Sequence, residues 1–146
     1  METQPVDERC VFCTTEGGQR VYADPHCRVV LTSEPFTGFC RVVVARHVRE
    51  MTDLPAAERE HVLRVVFALE TTLREMLHPD KMNVASLGNV VPHVHWHVIP
   101  RFADDSHFPK PVWADAVRTG APRPLPGDFV PKLAARLVQV LQARDA

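Results

Sequence analysis

Several features that would assign this chain to a large class of proteins are missing from its sequence. It contains no apolar run approaching the roughly 20 residues that a membrane span requires. Its first ten residues, METQPVDERC, lack the basic segment followed by an apolar one that marks an export signal. Positive charge is not in excess, because 17 Lys and Arg residues oppose 18 Asp and Glu residues and the net charge is −1. We therefore expect a cytoplasmic protein that binds neither membranes nor nucleic acid.

Cysteine is also scarce, with four residues at Cys10, Cys13, Cys27 and Cys40. Without an export signal, free thiols or a metal site are favoured over disulfides. Cys10 and Cys13 form a CxxC, a spacing that lets two thiolates reach one tetrahedral zinc ion. By itself this motif is a weak indication, and two buried thiols without a metal remain an alternative. A redox pair fits less well, because no βαβ pattern surrounds the motif.

The length of 146 residues and the hydrophobic fraction of 45% are sufficient for one compact domain with its own core. No internal repeat or low-complexity tract is present. We divide the single domain, 1–146, into a core from about 10 to 115, a Pro/Gly-rich loop over 116–127 and a C-terminal helix over 128–144.

Runs rich in β-branched residues between turn residues predict five strands, which lie at 20–23, 28–32, 39–45, 81–86 and 89–101. Apolar positions three and four residues apart predict a long helix over 55–77, with Thr52 or Asp53 as its N-cap. Asp128 is the predicted N-cap of the C-terminal helix. Pro100 has no N–H for a ladder and is expected to stop the fifth strand.

The fifth predicted strand contains three histidines two residues apart, in the sequence NVVPHVHWHVIPR. Successive side chains of a strand point to opposite faces, so His93, His95 and His97 are predicted to share one face. A single histidine on a strand would need no special explanation. Three in register each need hydrogen-bond partners, which leaves metal ligation or proton and nucleophile chemistry as the favoured interpretations.

The run HVHWHVI over 93–99, in which two apolar residues follow three alternating histidines, resembles the signature of the histidine-triad (HIT) family. An N-terminal CxxC, a histidine between the third strand and the long helix, and a Gly turn before the triad occur in that family in the same order. The resemblance extends over about 10–101. It implies an α+β, HIT-like fold, with a five-stranded antiparallel sheet, one long helix and a C-terminal helix. It also implies a homodimer, formed through that long helix and a sheet edge.

Family members bind nucleotides and cleave at the α-phosphate, as hydrolases of nucleoside phosphoramidates or dinucleoside polyphosphates, or as nucleotidyl transferases. By position, the resemblance makes His95 the nucleophile, and a covalent nucleotidyl-histidine divides one difficult displacement into two easier ones. Its other ring N–H needs an acceptor, for which a backbone carbonyl suffices. His97 is expected to contact the phosphate or to protonate the leaving group. Gly88 and the backbone N–H groups of Asn89 and Val90 are expected to cradle the phosphate oxygens.

The CxxC acquires a specific role through the resemblance. In members that carry it, zinc is bound by residues corresponding to Cys10, Cys13, His47 and His93. Two thiolates and two imidazoles close a tetrahedral site, so this zinc is expected to be structural. His93, the remaining histidine of the catalytic triad, would be oriented by the metal and would steady the strand that carries His95. No organic cofactor is implied.

The sequence departs from the family pattern at several positions around this site. Phe39 stands where many members carry a histidine that supports the nucleophile. Asn89 and Val90 replace a Gln-Ser pair, so a hydroxyl donor to the phosphate is lost. Leu31 aligns with the acidic residue that usually holds the ribose, and Glu34 lies a few residues later. These departures lower the expected rate and leave the substrate open.

Five further residues have no role in this scheme. Cys27 and Cys40 are expected to be buried thiols, and His61 and His78 ordinary surface histidines. Trp113, in the loop after the histidine strand, is expected to make a packing or subunit contact rather than to form a substrate platform.

Two alternatives compete with a covalent hydrolase. The first is a zinc-stabilised nucleotide-binding or interaction module with little catalysis, in which the same histidines only bind phosphate. The second is a catalytic zinc held by all three triad histidines. It ranks lower because alternate residues of a strand lie about 7 Å apart, whereas each nitrogen must lie about 2 Å from the metal.

Overall fold

A computed structural model describes residues 6–143 of the chain. Its elements, in chain order, are α1 (Val11–Thr14), β1 (Gln19–Ala23), β2 (Cys27–Leu31), β3 (Cys40–Val44), a 3₁₀ turn (Met51–Asp53), α2 (Ala56–Leu77), β4 (Lys81–Ala85), β5 (His95–Arg101) and α3 (Phe129–Gln142). The first half of the N-terminal segment inspected for an export signal and residue 144, the predicted end of the C-terminal helix, lie outside the described residues. Residues 116–127 form no helix or strand.

The five strands form one antiparallel sheet in the order β1-β2-β3-β5-β4. This confirms the α+β fold, the strand count and the predicted adjacency of the fourth strand to the histidine strand. Strands β3 and β5 are paired on both sides and lie inside the sheet, whereas β1 and β4 are its edges. The histidine strand is therefore held by hydrogen bonds from two neighbours, which gives its side chains a fixed direction.

Helices α2 and α3 pack against each other and against one face of the sheet, where they form the main core. The buried residues of α2 follow the predicted helical spacing, and they are Val62, Val65, Val66, Ala68, Leu69, Thr72 and Leu73. Those of α3 are Phe129, Leu133, Leu137 and Val140. Each fully buried Val, Leu or Phe side chain contributes about 1.5–3 kcal/mol to this packing. The opposite face of the sheet, left free by these helices, carries the triad. Of the helices within residues 6–143, none has the length and apolar character needed to cross a bilayer.

The start of α2 differs from the prediction. Pro55, not Thr52 or Asp53, occupies the N-cap position. The two predicted caps lie in the preceding 3₁₀ turn, where the Asp53 carboxylate accepts a hydrogen bond from the backbone N–H of Glu50. A capping side chain that already closes its own turn is not available to the next helix. Asp128 does occupy the N-cap of α3, although its side chain pairs with Lys132 rather than with the backbone.

The limits of the fifth strand were also predicted wrongly. Residues 89–94 are not part of β5, because the backbone of Val94 bonds to Val44 and Val48 outside the ladder. Pro100 does not stop the strand, which continues to Arg101. The carbonyl of Arg101 faces β4 and accepts from Asp80, so the nitrogen of Pro100 faces the other side. On that side β3 begins only at Cys40, whose partner in β5 is Val98. No residue of β3 therefore lies opposite Pro100, and no ladder donor is required there.

Candidate functional site

The last two triad histidines lie side by side on the free face of the sheet. The ring centroids of His95 and His97 are 4.9 Å apart, and both side chains are buried. His93 lies just before β5 on the same side, since Phe12 of α1 contacts both His93 and His95, with ring centroids 5.9 Å and 4.7 Å away. The structure thus places all three histidines on one side, as the alternation predicted.

His95 is fixed in one tautomer. Its Nδ1 lies 2.6 Å from the backbone oxygen of His93, and because a carbonyl can only accept, Nδ1 carries the proton. Burial lowers the pKa of His95, so the ring is neutral at pH 7 and Nε2 keeps its lone pair. Ser86 donates to the backbone oxygen of His95 at 2.7 Å, which further anchors this residue. The arrangement suits a nitrogen nucleophile.

A groove of about 560 Å³ opens in front of His95 and His97. Its walls include Val11 and Phe12 of α1 and the residues 87–91 that follow β4. Gly88 has φ of 75°, a conformation that favours glycine. In the described part of the chain, no hydrogen bond uses the backbone N–H of Asn89 or Val90, and Val90 is 93% exposed. Asn89 and Val90 thus line the groove with backbone N–H groups that no described residue occupies.

His97 lacks a hydrogen bond of the kind that fixes His95. Phe39 stands edge-on to its ring at 5.7 Å, and a phenyl ring offers it no such bond. The Nδ1 of His97 is buried and has no partner among the described residues. Burial, with the nearby His95 and Arg41, lowers the pKa of His97 to about 4. His97 is consequently neutral in the free protein.

Sequence reasoning did not place two residues in the groove. Trp113 lines the groove, is 53% exposed and packs with its ring 4.9 Å from that of His97, while the subunit contact stays a prediction. No local pattern in a Pro-rich loop indicates where such a residue will lie. Phe12, which contacts His95, lies between the two cysteines of the CxxC. Its position could have been inferred, since a metal shared with His93 would bring that motif to the triad.

The four predicted metal ligands, Cys10, Cys13, His47 and His93, lie close together. Nδ1 of His93 lies 3.4 Å from Sγ of Cys10, 3.5 Å from Sγ of Cys13 and 3.2 Å from Nδ1 of His47. The distance from Cys13 Sγ to His47 Nδ1 is 3.3 Å. Standard zinc bond lengths in a tetrahedron place two nitrogens about 3.3 Å apart and a nitrogen and a sulfur about 3.6 Å apart. The cluster therefore has the size and the donor set of a metal site.

The outer nitrogen of His93 is hydrogen-bonded to an acceptor, as is usual around a bound metal, and that of His47 lies near a carboxylate. Nε2 of His93 donates to the backbone oxygen of Val44 at 2.6 Å, which leaves the lone pair on Nδ1. Nε2 of His47 lies 3.8 Å from a carboxylate oxygen of Asp7. Both rings thus present Nδ1 to the centre of the cluster.

The residues without a role in the sequence scheme have mixed outcomes. Cys27 and Cys40 are buried free thiols, as expected, and burial raises the pKa of Cys40 to about 12. His78 is exposed and ends α2 in the left-handed region. His61 is not an ordinary surface histidine, because its Nε2 lies 2.6 Å from a carboxylate oxygen of Asp24 and ties α2 to the turn between β1 and β2. A helical surface position alone does not reveal such a distant partner.

Comparison with known proteins agrees with this geometry. A family model described as the HIT domain matches residues 15–104, which is more than half of the chain. An uncharacterised HIT-like protein of Methanocaldococcus jannaschii is 29% identical over 111 residues, covering 69% of this chain and 85% of that protein.

Solved structures show the same fold. A histidine triad protein of Bradyrhizobium japonicum matches with a TM-score of 0.72 at 23% identity, over 96% of this chain and 99% of its own. A zinc-bound histidine triad family protein of Mycobacterium smegmatis matches with a TM-score of 0.64 at 27% identity, over 90% and 94% of the two chains. The chain therefore belongs to the HIT domain family, whose members are nucleotide-binding hydrolases and transferases.

Proposed function

We propose that this protein is a hydrolase that binds a nucleotide in the groove and cleaves it at the α-phosphate through a covalent nucleotidyl-histidine on His95. The substrate is a nucleoside phosphoramidate or a dinucleoside polyphosphate. The observation that carries the proposal is the hydrogen bond from His95 Nδ1 to the backbone oxygen of His93. It leaves Nε2 unprotonated beside the groove, which is the state a nitrogen nucleophile requires.

The reaction has two displacements at the same phosphorus. In the first, Nε2 of His95 forms a bond to the α-phosphorus while the bond to the leaving group breaks. In the second, water attacks the phosphorus, the bond to His95 breaks, and a nucleoside monophosphate leaves. An acceptor other than water in the second step would make the protein a nucleotidyl transferase.

His97 and the turn after β4 support both steps. Gly88, Asn89 and Val90 line the groove, and the backbone N–H groups of Asn89 and Val90 are proposed to donate to phosphate oxygens. His97 is neutral in the free protein, and an anionic phosphate next to the ring raises its pKa. Protonation of His97 upon substrate binding then lets it donate to the leaving group, a contribution of about 10²- to 10⁴-fold.

The metal in the cluster of Cys10, Cys13, His47 and His93 is proposed to be a structural zinc ion. Its support is the matching donor geometry and the zinc bound by the similar protein of Mycobacterium smegmatis. When bound, zinc fixes His93, whose backbone oxygen holds the tautomer of His95. The cluster offers four protein ligands, which leaves no open position for a substrate.

A homodimer is also proposed. Phe67 on the outward side of α2 is 53% exposed, and β4 is an edge strand with unpaired backbone groups. Both features suit a second copy of the chain. The cytoplasmic location stays a prediction from the sequence.

The decisive experiment is intact-protein mass spectrometry after brief mixing with adenosine phosphoramidate or a dinucleoside polyphosphate, without acid quenching because phosphohistidine is acid-labile. A nucleotidyl adduct is expected in the wild type and in His78→Asn, a control at an exposed histidine away from the groove. It should be absent in His95→Asn. If neither adduct nor turnover appears while nucleotide still binds, the protein is instead a zinc-stabilised binding module.

A further inference from the structure

One cation in the groove is not used by the reaction as described. Arg41 of β3 lies directly opposite His97 of β5 in the sheet register, so the two side chains share a face with Cβ atoms about 5 Å apart. Both residues line the groove. On its other side Arg41 is opposite Val30 of β2, so that neighbour offers no polar group.

Arg41 and His97 also share an unusual deficiency. Of the buried side-chain polar atoms within residues 6–143, two lack a hydrogen-bond partner, Nε of Arg41 and Nδ1 of His97. Native proteins rarely leave buried polar atoms unpaired. Here two such nitrogens belong to neighbouring residues that face the same groove, which indicates that a ligand completes the pair.

The charge of Arg41 is only weakly compensated. Its guanidinium lies 3.4 Å from a carboxylate oxygen of Glu34, whose side chain is half exposed, and over the ring of Phe39 at 5.3 Å. The contact is long and joins a 19% exposed arginine to a 48% exposed carboxylate, so it compensates the charge of Arg41 only in part. The same charge helps to hold the pKa of His97 down. An anionic group between the two residues would compensate the charge of Arg41 and would also raise the pKa of His97.

The place of Arg41 in the sheet distinguishes this anion from the α-phosphate. His95, which attacks the α-phosphorus, is opposite Val43 of β3, whereas Arg41 is opposite His97, two residues further along β5. Arg41 therefore lies about 7 Å along the strands from the position of the nucleophile. That is within reach of a phosphoryl group joined to the α-phosphate.

We propose that Arg41 and His97 form a second phosphoryl subsite, which binds the leaving-group phosphate of a phosphoanhydride substrate. This inference rests on the proposed function. It selects dinucleoside polyphosphates, and other nucleotides with a further phosphoryl group, over phosphoramidates whose leaving amine carries no negative charge. Arginine suits this role because its planar donor fork matches phosphate oxygens.

The first test compares kcat/KM for a dinucleoside polyphosphate and for a phosphoramidate of the same nucleoside. Arg41→Gln should lower the value for the polyphosphate by about 10- to 100-fold, as expected for a lost charge-assisted hydrogen bond, and the value for the phosphoramidate by less than about 3-fold. Arg41→Lys, which keeps the charge, should recover part of the loss. Arg20→Gln, at an exposed arginine of β1, should change neither. An equal loss for both substrates, or none, overturns the subsite.

A second test does not depend on turnover. Calorimetry with ADP, AMP, GDP and GMP should show tighter binding of the diphosphates by the wild type, and Arg41→Gln should abolish that preference for both bases. If the affinity lost in Arg41→Gln depends on the base and not on the number of phosphates, Arg41 recognises the base, and the proposal is overturned. If the wild type hydrolyses neither substrate, the hydrolase assignment fails, while the diphosphate preference still decides the subsite.

Discussion

His93 and His95 are coupled through one backbone carbonyl. The oxygen of His93 accepts the Nδ1 proton of His95 at 2.6 Å, while the ring of His93 faces Cys10, Cys13 and His47. A metal bound to that ring would restrain the peptide that fixes the tautomer of the nucleophile. The metal site and the reactive nitrogen of His95 therefore occupy different positions, but the His93 peptide links the orientation of one to that of the other.

Removal of the metal should lower the stability of the protein without abolishing turnover. Cys13→Ala removes one of four ligands and should reduce zinc content from about one ion per chain to near zero, with a clear fall in Tm. Below the lowered Tm, turnover should persist at a reduced rate, because His95 remains in place. Metal analysis, thermal unfolding and activity measured at the same temperature test this.

Cys40→Ala is the matched control, since it removes a buried thiol that belongs to no candidate metal cluster among the described residues. It should leave zinc content unchanged, whatever its effect on Tm. Immediate and complete loss of turnover upon chelation, in protein that is still folded, would contradict a structural role and favour the catalytic-zinc alternative.

Trp113 should contribute to nucleotide binding. An aromatic contact between Trp113 and a nucleotide bound in the groove would be worth about 0.5–1.5 kcal/mol, so Trp113→Ala should weaken nucleotide binding by about 2- to 12-fold and Trp113→Phe by less. Calorimetry measures this effect. Nucleotide should also quench the fluorescence of the wild type more than that of Trp113→Phe, which retains only Trp96. Unchanged affinity with an altered oligomeric state would support the subunit contact expected from the sequence.

The buried Arg101 should hold the loop that carries Trp113. Its guanidinium contacts Asp105 at 2.8 and 3.1 Å, Asn83 at 2.8 Å and the backbone oxygen of Lys110 at 2.8 Å. Arg101→Ala leaves these acceptors unpaired and should lower the free energy of unfolding by about 3–5 kcal/mol. Urea denaturation should show a far smaller change, about 0–1 kcal/mol, for Arg136→Ala on the surface. Comparable losses in the two variants would contradict this role for Arg101.

The parts of the site that follow from short-range pattern were predictable from the sequence. Alternation placed the triad on one face, and the CxxC, His47 and His93 were assigned as one cluster through the family resemblance. The parts that depend on distant structure were not. Pro100 is tolerated in β5 because β3 does not extend past the position opposite Val98. No local sequence rule shows how far a neighbouring strand extends.

The positions of Trp113 and Arg41 were unpredictable for a similar reason. Trp113 reaches His97 through a loop held by Arg101 and Asp105, whose contacts join residues far apart in the fold. Arg41 becomes a groove residue only once β3 is paired with β5 in the observed register. A register shift of one residue would turn its side chain to the opposite face.

Stability should depend on pH through His97. Its pKa is lowered to about 4 in the folded protein, against an ordinary value near 6.5 in the unfolded chain. Between these pH values the unfolded state binds more protons, so the free energy of unfolding falls as the pH decreases through this window, and the contribution of His97 is complete only above about 6.5. His97→Asn cannot titrate, so its free energy of unfolding should decline less steeply than that of the wild type between pH 6.5 and 4. Effects of the metal cluster and of the histidines outside the groove are common to both proteins and cancel in the difference. Urea denaturation at each pH measures this, and the control His78→Asn should follow the wild type. If the free energy of unfolding of His97→Asn falls with pH as steeply as that of the wild type, His97 is not held neutral by the fold.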